Sequence, residues 1–145
     1  MARRYRTTGL RRLGNRLMAP LVRRGRGPER TWLITVPGRR SGEPHTTPVN
    51  LVEDGGQRWL VAPYGAVGWV RNLRAGGRVT LTRGARAERA RAVEVGPEEA
   101  APVLRRYLAD NRITRPFFDV RPDSPLADFA AEAARHPVFR IVPET

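Results

Sequence analysis

The sequence predicts an α+β protein built on a mostly antiparallel, barrel-like sheet with peripheral helices. Three observations support this. Short runs rich in β-branched and aromatic residues recur, and glycine or proline bounds each of them. Two of the breaks, Asp54-Gly55-Gly56 and Gly84-Ala85, leave room only for tight hairpin turns. The strands do not alternate with long crossover helices, as a doubly wound parallel sheet would require.

The elements follow in order. Leu10, Leu13, Leu17 and Leu21 recur at helical spacing, while Arg11, Arg12, Arg16, Arg23 and Arg24 fill the opposite face. Residues 9–24 therefore read as a basic amphipathic helix, interrupted at Pro20 and ended by Gly25-Arg26-Gly27-Pro28. Two roles suit it: a helix packed on the domain, or a peripheral contact with the inner face of an anionic membrane. Strands are expected over 30–36, 44–53, 57–62, 78–83, 86–95 and 137–142. A short helix over 69–75 is stopped by Gly76-Gly77. Pro97, with Glu98 and Glu99 in the first turn, opens a helix reaching about Leu108. Asn111 to Val120 reads as irregular. Ser124 is expected to cap a last helix, with Pro125 at its first position, ending near Arg135. The chain thus divides into a basic helical segment, 1–29, and a barrel domain, 30–145.

Composition narrows the function. The chain of 145 residues is the size of one domain, with 40% hydrophobic and 28% charged residues. It has no cysteine, so disulfide and thiolate-metal chemistry are excluded. Its two histidines, His45 and His136, lie too far apart in sequence to suggest a metal centre. His45 reads as a surface or packed histidine. His136 sits near a helix end, where an imidazolium is comfortable. No apolar run approaches the roughly 20 residues of a membrane-spanning helix. The basic N-terminus lacks the apolar core and cleavage site of a signal peptide, and a cytoplasmic location is expected. The formal net charge is +13, and every basic residue is arginine. Codon usage accounts for arginine over lysine, whereas the excess over acid creates a field that attracts anions.

Candidate chemistry concentrates in two stretches. Gly38-Arg39-Arg40-Ser41-Gly42 joins two expected strands. Its glycines permit a tight path, and its guanidiniums can fork onto phosphate oxygens. Alone, such a turn is equally well read as solvated surface. Thr46 and Thr47 follow; strand alternation sends one inward and one outward. The second stretch is Pro63-Tyr64-Gly65-Ala66 followed by Trp69 to Leu73. Amides at the helix start can hold an electron-rich group. Trp69 and Asn72, three residues apart, share a helix face and can serve one pocket. Trp69 is read as core packing or as the wall of a flat heterocycle. No nucleophile–base–orienter set, Walker motif or Gly-x-Gly-x-x-Gly fingerprint is present. A reaction run by a cofactor needs none of these, since the protein then supplies binding and orientation.

These stretches resemble the deazaflavin-dependent nitroreductase family, split β-barrel proteins of the FMN-binding-like kind that use coenzyme F420. The resemblance covers roughly residues 30–95. It rests on Gly38 to Gly42, Thr46-Thr47-Pro48, the Asp54-Gly55-Gly56 hairpin and Trp69…Asn72-Leu73. It implies that Arg39, Arg40, Ser41 and Gly42 grip the cofactor's phosphate and acidic tail. It also implies that Thr47, Pro48, Trp69 and Asn72 line the deazaflavin; Thr46 and Pro63 are further cofactor-binding candidates. The implied reaction is hydride transfer to a small electrophile such as a quinone, a nitro compound or an enone. Tyr64 is the expected proton donor, with Tyr107 and water as alternatives. The loop Pro63–Gly68 departs from the pattern: it is short and carries no basic residue before Arg71. Barrels of this kind are often dimers, although this family also contains monomers. FMN is the rival cofactor. The rival functions are a non-catalytic binder of flavin, haem or lipid, and a binder of anionic membrane or nucleic acid. Nucleic acid is disfavoured because Trp32, Trp59, Trp69 and Phe139 fall within expected elements instead of interleaving with arginines.

Overall fold

A computed structural model describes residues 30–144. The basic segment expected over 9–24, with the rest of 1–29, lies outside the described residues. The described chain runs β1 (Thr31–Pro37), β2 (Pro44–Asp54), β3 (Gln57–Val61), α1 (Gly68–Gly76), β4 (Arg78–Arg83), β5 (Arg86–Glu94), α2 (Pro97–Asp110), a 3-10 turn (Arg112–Phe117), α3 (Leu126–Glu132) and β6 (Val138–Pro143). The six strands close an antiparallel barrel in the order β1-β2-β3-β6-β5-β4, with β4 pairing back onto β1. The last strand in sequence is therefore inserted between β3 and β5.

Alternation along the strands builds two cores. Trp32, Ile34 and Val36 of β1 point inward with Leu51, Leu60, Leu81, Phe139 and Ile141. Val52, Trp59, Val61 and Val138 are out of phase with these, and they meet Leu104, Leu108 and Phe129 of α2 and α3. Helices thus cover one outer wall of the barrel. Trp59 also donates from Nε1 to Glu99 at 2.9 Å, and Arg140 donates to the same carboxylate at 2.8 Å. Helix α1 packs differently: its Val70 and Leu73 join the barrel core. It ends where Gly77, at φ 70°, donates its N–H to Leu73 O at 2.7 Å. A residue with Cβ disfavours that left-handed turn.

β2 is shared between two neighbours. Residues 44–50 pair with β1, and residues 51–54 pair with β3. The first half of β2 therefore has a sheet edge facing away from β1, and β3 leaves the sheet at Val61. Pro48 lies in that half, where its missing N–H costs no ladder bond on the open side. The barrel wall is split at this point.

Two local expectations are corrected. The stretch expected to be irregular contains a 3-10 turn, Arg112–Phe117, which Thr114 secures by donating its hydroxyl to Asn111 O at 2.7 Å. Ser124 does not cap the last helix. Pro125 occupies the N-cap, while Ser124 Oγ accepts the Arg121 N–H at 2.9 Å and braces the preceding loop. Among the described residues no helix is long and apolar enough to cross a membrane.

Candidate active site

The split opens into a cleft of about 1090 Å³, at the upper end of small-molecule sites. Its walls come from the β1–β2 loop, the first half of β2, the loop after β3, the start of α1, and the α2/3-10 junction.

The cationic end is built by the β1–β2 loop. Gly38 N–H donates to Glu43 O at 2.8 Å, and Gly42 N–H donates to Gly38 O at 2.9 Å. Gly42 has φ 75°, which suits glycine. Ser41 Oγ accepts the Glu43 N–H at 3.1 Å, so part of its role is to brace the loop. Arg39, Arg40 and Ser41 line the cleft, whereas Gly42 shapes the bend without reaching it. Asn72 Oδ1 accepts two bonds from Arg39, one from the backbone N–H at 3.0 Å and one from Nη1 at 2.9 Å. Arg71 adds a third guanidinium to the lining, and among the described residues no aspartate or glutamate faces the cleft. Among the described residues no side chain caps the start of α1, and Gly68 and Trp69 of its first turn also line the cleft.

Thr47 and Pro48 lie on the cleft wall, and Thr46 does not. Thr46 points to the opposite face of β2, where its hydroxyl meets Thr35 Oγ1 at 2.9 Å. Of the adjacent threonines it is the one that alternation sends outward. Trp69 packs against Phe139 of the core, at 6.2 Å between ring centroids, and also lines the cleft. His45 stands exposed on the rim.

The opposite end is less charged. Pro63 and Tyr64 enter from the loop after β3, and Tyr107 enters from α2. Tyr64 packs edge-on against Phe117, with ring centroids 4.9 Å apart. Burial pushes the Tyr107 phenol well above its ordinary range, and the neighbouring Tyr64 adds to the shift. Tyr107 therefore stays protonated at any physiological pH. Asn50 Nδ2 donates to Asn111 Oδ1 at 2.7 Å, and Asn111 Nδ2 donates to Tyr107 O at 2.9 Å. This chain ties β2 to the 3-10 turn that carries Ile113 and Thr114 into the lining. Sequence reasoning missed Asn50, Arg71, Ile113 and Thr114. Arg71 was the most accessible of these, since it lies between Trp69 and Asn72.

Behind the Tyr64 loop, His136 is buried and stacks on Phe118 at 3.8 Å with a 16° interplanar angle. The charged form expected near a helix end is not favoured there. Desolvation lowers its pKa most, against an opposing pull from Glu132. The carbonyls of Pro63 and Ala62 also favour protonation, yet neither ring nitrogen meets hydrogen-bond geometry.

The closed barrel, its split wall and its cationic cleft define a split β-barrel with a candidate site for an anionic small molecule. Residues 2–121 match the family model of F420H(2)-dependent quinone reductase, and the chain belongs to that family. Its chemistry is oxidoreduction, and its cofactor is coenzyme F420. An F420-H2 dependent reductase, FDR-A, is similar at 23% identity and TM-score 0.54, covering 77% of this chain and 93% of that one. A protein of unknown function from Agrobacterium tumefaciens, Atu2129, is similar at 20% identity and TM-score 0.60. The match covers 80% of this chain and only 49% of that one, so this chain spans about half its length. A structure described as a domain-swapped dimer is similar at 21% identity and TM-score 0.58, covering 91% and 96% of the two chains. No curated protein sequence matches the chain.

Proposed function

We propose that the cleft holds reduced coenzyme F420, with its phosphate and acidic tail against the Arg39-Arg40-Ser41 bend, and passes a hydride to a small electrophile. A quinone is the first choice of acceptor; nitro compounds and activated enones follow. One observation carries this reading: among the described residues the lining has three guanidiniums and no carboxylate, although the chain carries 14 acidic residues. Such a lining attracts a polyanion and would repel none of its charges. When bound, the cofactor supplies the hydride, so the protein needs no nucleophile.

The chain's own residues then bind, orient and supply a proton. Arg39, Arg40 and Ser41 would hold the anionic handle, helped by Arg71 and the first-turn amides of α1. Thr47, Pro48, Pro63 and Trp69 would border the flat ring system, while Asn72 meets it through Arg39. Tyr64 would donate its phenolic proton to the oxygen that gains negative charge as the acceptor is reduced. Tyr107, held neutral by burial, keeps a donor beside it. A homodimer is a second proposal, prompted by the domain-swapped neighbour, and sedimentation would read it. The test of function is to mix purified protein with reduced F420 and menadione and follow the absorbance of the oxidised deazaflavin. The reading requires protein-dependent reoxidation; a rate equal to the protein-free control contradicts it.

A further inference from the structure

We infer that Asn72 is a positioning residue, which fixes the Arg39 guanidinium in one orientation without neutralising it. The inference rests on the cofactor reading above and goes beyond it by giving Asn72 a function exerted through Arg39.

The argument starts from one atom. Two donors of Arg39, its backbone N–H at 3.0 Å and Nη1 at 2.9 Å, converge on Asn72 Oδ1. Two converging donors settle which end of the amide faces Arg39, because an amide nitrogen there could accept neither bond. Asn72 is itself only 7% exposed. It sits between Val70 and Leu73, whose side chains are locked in the barrel core. The anchor is therefore as rigid as the core.

Arg39 is exposed, and an exposed arginine normally samples many rotamers. Here its main chain and the tip of its side chain are tied to the same oxygen. That closed loop removes the rotamer freedom before an anion arrives, which is how preorganisation raises affinity. The guanidinium's remaining donors then present a fixed fork to the cleft.

The choice of amide over carboxylate follows. An aspartate at position 72 could accept the same two bonds. It would also place a negative charge against the guanidinium and cancel the field that draws a phosphate. A neutral acceptor orients the cation and leaves its charge unspent. The structure thus assigns to Asn72 the geometry of the anion site, and to Arg39 its charge.

The test is a double-mutant cycle read as F420 affinity by absorbance titration. Asn72→Ala and Arg39→Lys should each weaken binding about tenfold, the scale of one lost charge-assisted bond. Arg39→Lys matters because it keeps the charge and the backbone bond while losing the fork. Asn72→Ala placed on Arg39→Ala should cost less than about twofold more, because its partner is already gone. The salt dependence of binding should persist in Asn72→Ala and flatten in Arg39→Ala. Asn72→Asp, which keeps the acceptor and the loop bond, guards against a folding failure; it should fold and yet bind weakly. Wild-type affinity in Arg39→Lys or in Asn72→Asp would overturn the inference. So would an Asn72→Ala loss of the same size with and without Arg39. If the wild-type protein fails to bind F420 at all, the cofactor reading falls first, and that outcome is distinct from additive losses in a protein that binds.

Discussion

Arg40→Ala and Arg71→Ala test the cationic end of the cleft, because both guanidiniums line it and neither is tied to Asn72. A guanidinium about 4 Å from a phosphate gains about 1 kcal/mol in bulk water and about 4 kcal/mol at the effective dielectric of a protein surface. Both side chains are exposed, so the lower part of that range applies. Each substitution should therefore weaken F420 binding by about five- to thirtyfold near 0.1 M salt. At 1 M salt the screening length falls from about 10 Å to about 3 Å, and most of the difference from wild type should vanish. The assay is a fluorescence titration of oxidised F420 at both salt concentrations. Arg89→Ala is the control, since Arg89 is exposed on β5 and lies outside the cleft. Equal losses in Arg40→Ala and Arg89→Ala would refute the reasoning, because a general surface field would then explain the affinity. Losses that persist unchanged at high salt would refute it as well.

Tyr64→Phe should lower kcat by about tenfold or more while leaving cofactor affinity within about twofold, since only a proton donor is removed; unchanged turnover at saturating cofactor would remove Tyr64 from the reaction. Gly65→Ala should slow turnover by misplacing Tyr64. Gly65 has φ +86°, and an added Cβ would sit 3.3 Å from Arg135 O, so both backbone and packing resist the change. His136 should make stability pH-dependent in a stated direction. Its folded pKa lies below the ordinary value of 6.5, so the unfolded chain binds the proton first as pH falls. Stability should drop as pH goes below about 6.5 and level off once the folded ring also protonates. Thermal melts of His136→Phe between pH 7.5 and pH 5 should show a shallower decline than wild type; parallel declines would contradict this. Glu132→Ala should lower stability by about 2 kcal/mol or more. Glu132 is 1% exposed, accepts the Asp119 N–H at 2.6 Å and pairs with Arg135, so its loss strands a donor. A melting temperature within a degree of wild type would show that the loop re-pairs with water.

The barrel's hairpins were legible because local chemistry encodes them. Asp54-Gly55-Gly56 and Gly84-Ala85 fix two turns, and period-2 alternation separates Trp32, Ile34 and Val36 from their neighbours. The insertion of β6 between β3 and β5 was not legible, since no turn residue records the pairing of β3 with β6 across 76 or more residues of intervening chain. Ser124 failed as a cap because Ser, like Asn, can equally well brace a preceding turn, and Arg121 N–H was the nearer claimant. Thr46 and Thr47 could not be told apart without knowing which face of β2 meets the core; register against Ile34 and Thr35 decides it. The Arg39 bend and the Trp69–Asn72 helix were each readable. Their direct contact through Asn72 Oδ1 was not, because it joins residues 33 positions apart. His136 was misjudged because proximity to a helix end says nothing about the Phe118 ring stacked above it.

The central claim is that the β1–β2 bend recognises the anionic handle of the cofactor. The most direct measurement is the affinity ratio between F420 and the same deazaflavin lacking its phosphate and glutamate tail, in wild type and in Arg39→Ala/Arg40→Ala. The account predicts a strong preference for the tailed molecule in wild type and its near disappearance in the double variant. Equal affinity for the two molecules in wild type, or a preference that survives loss of both arginines, would contradict it.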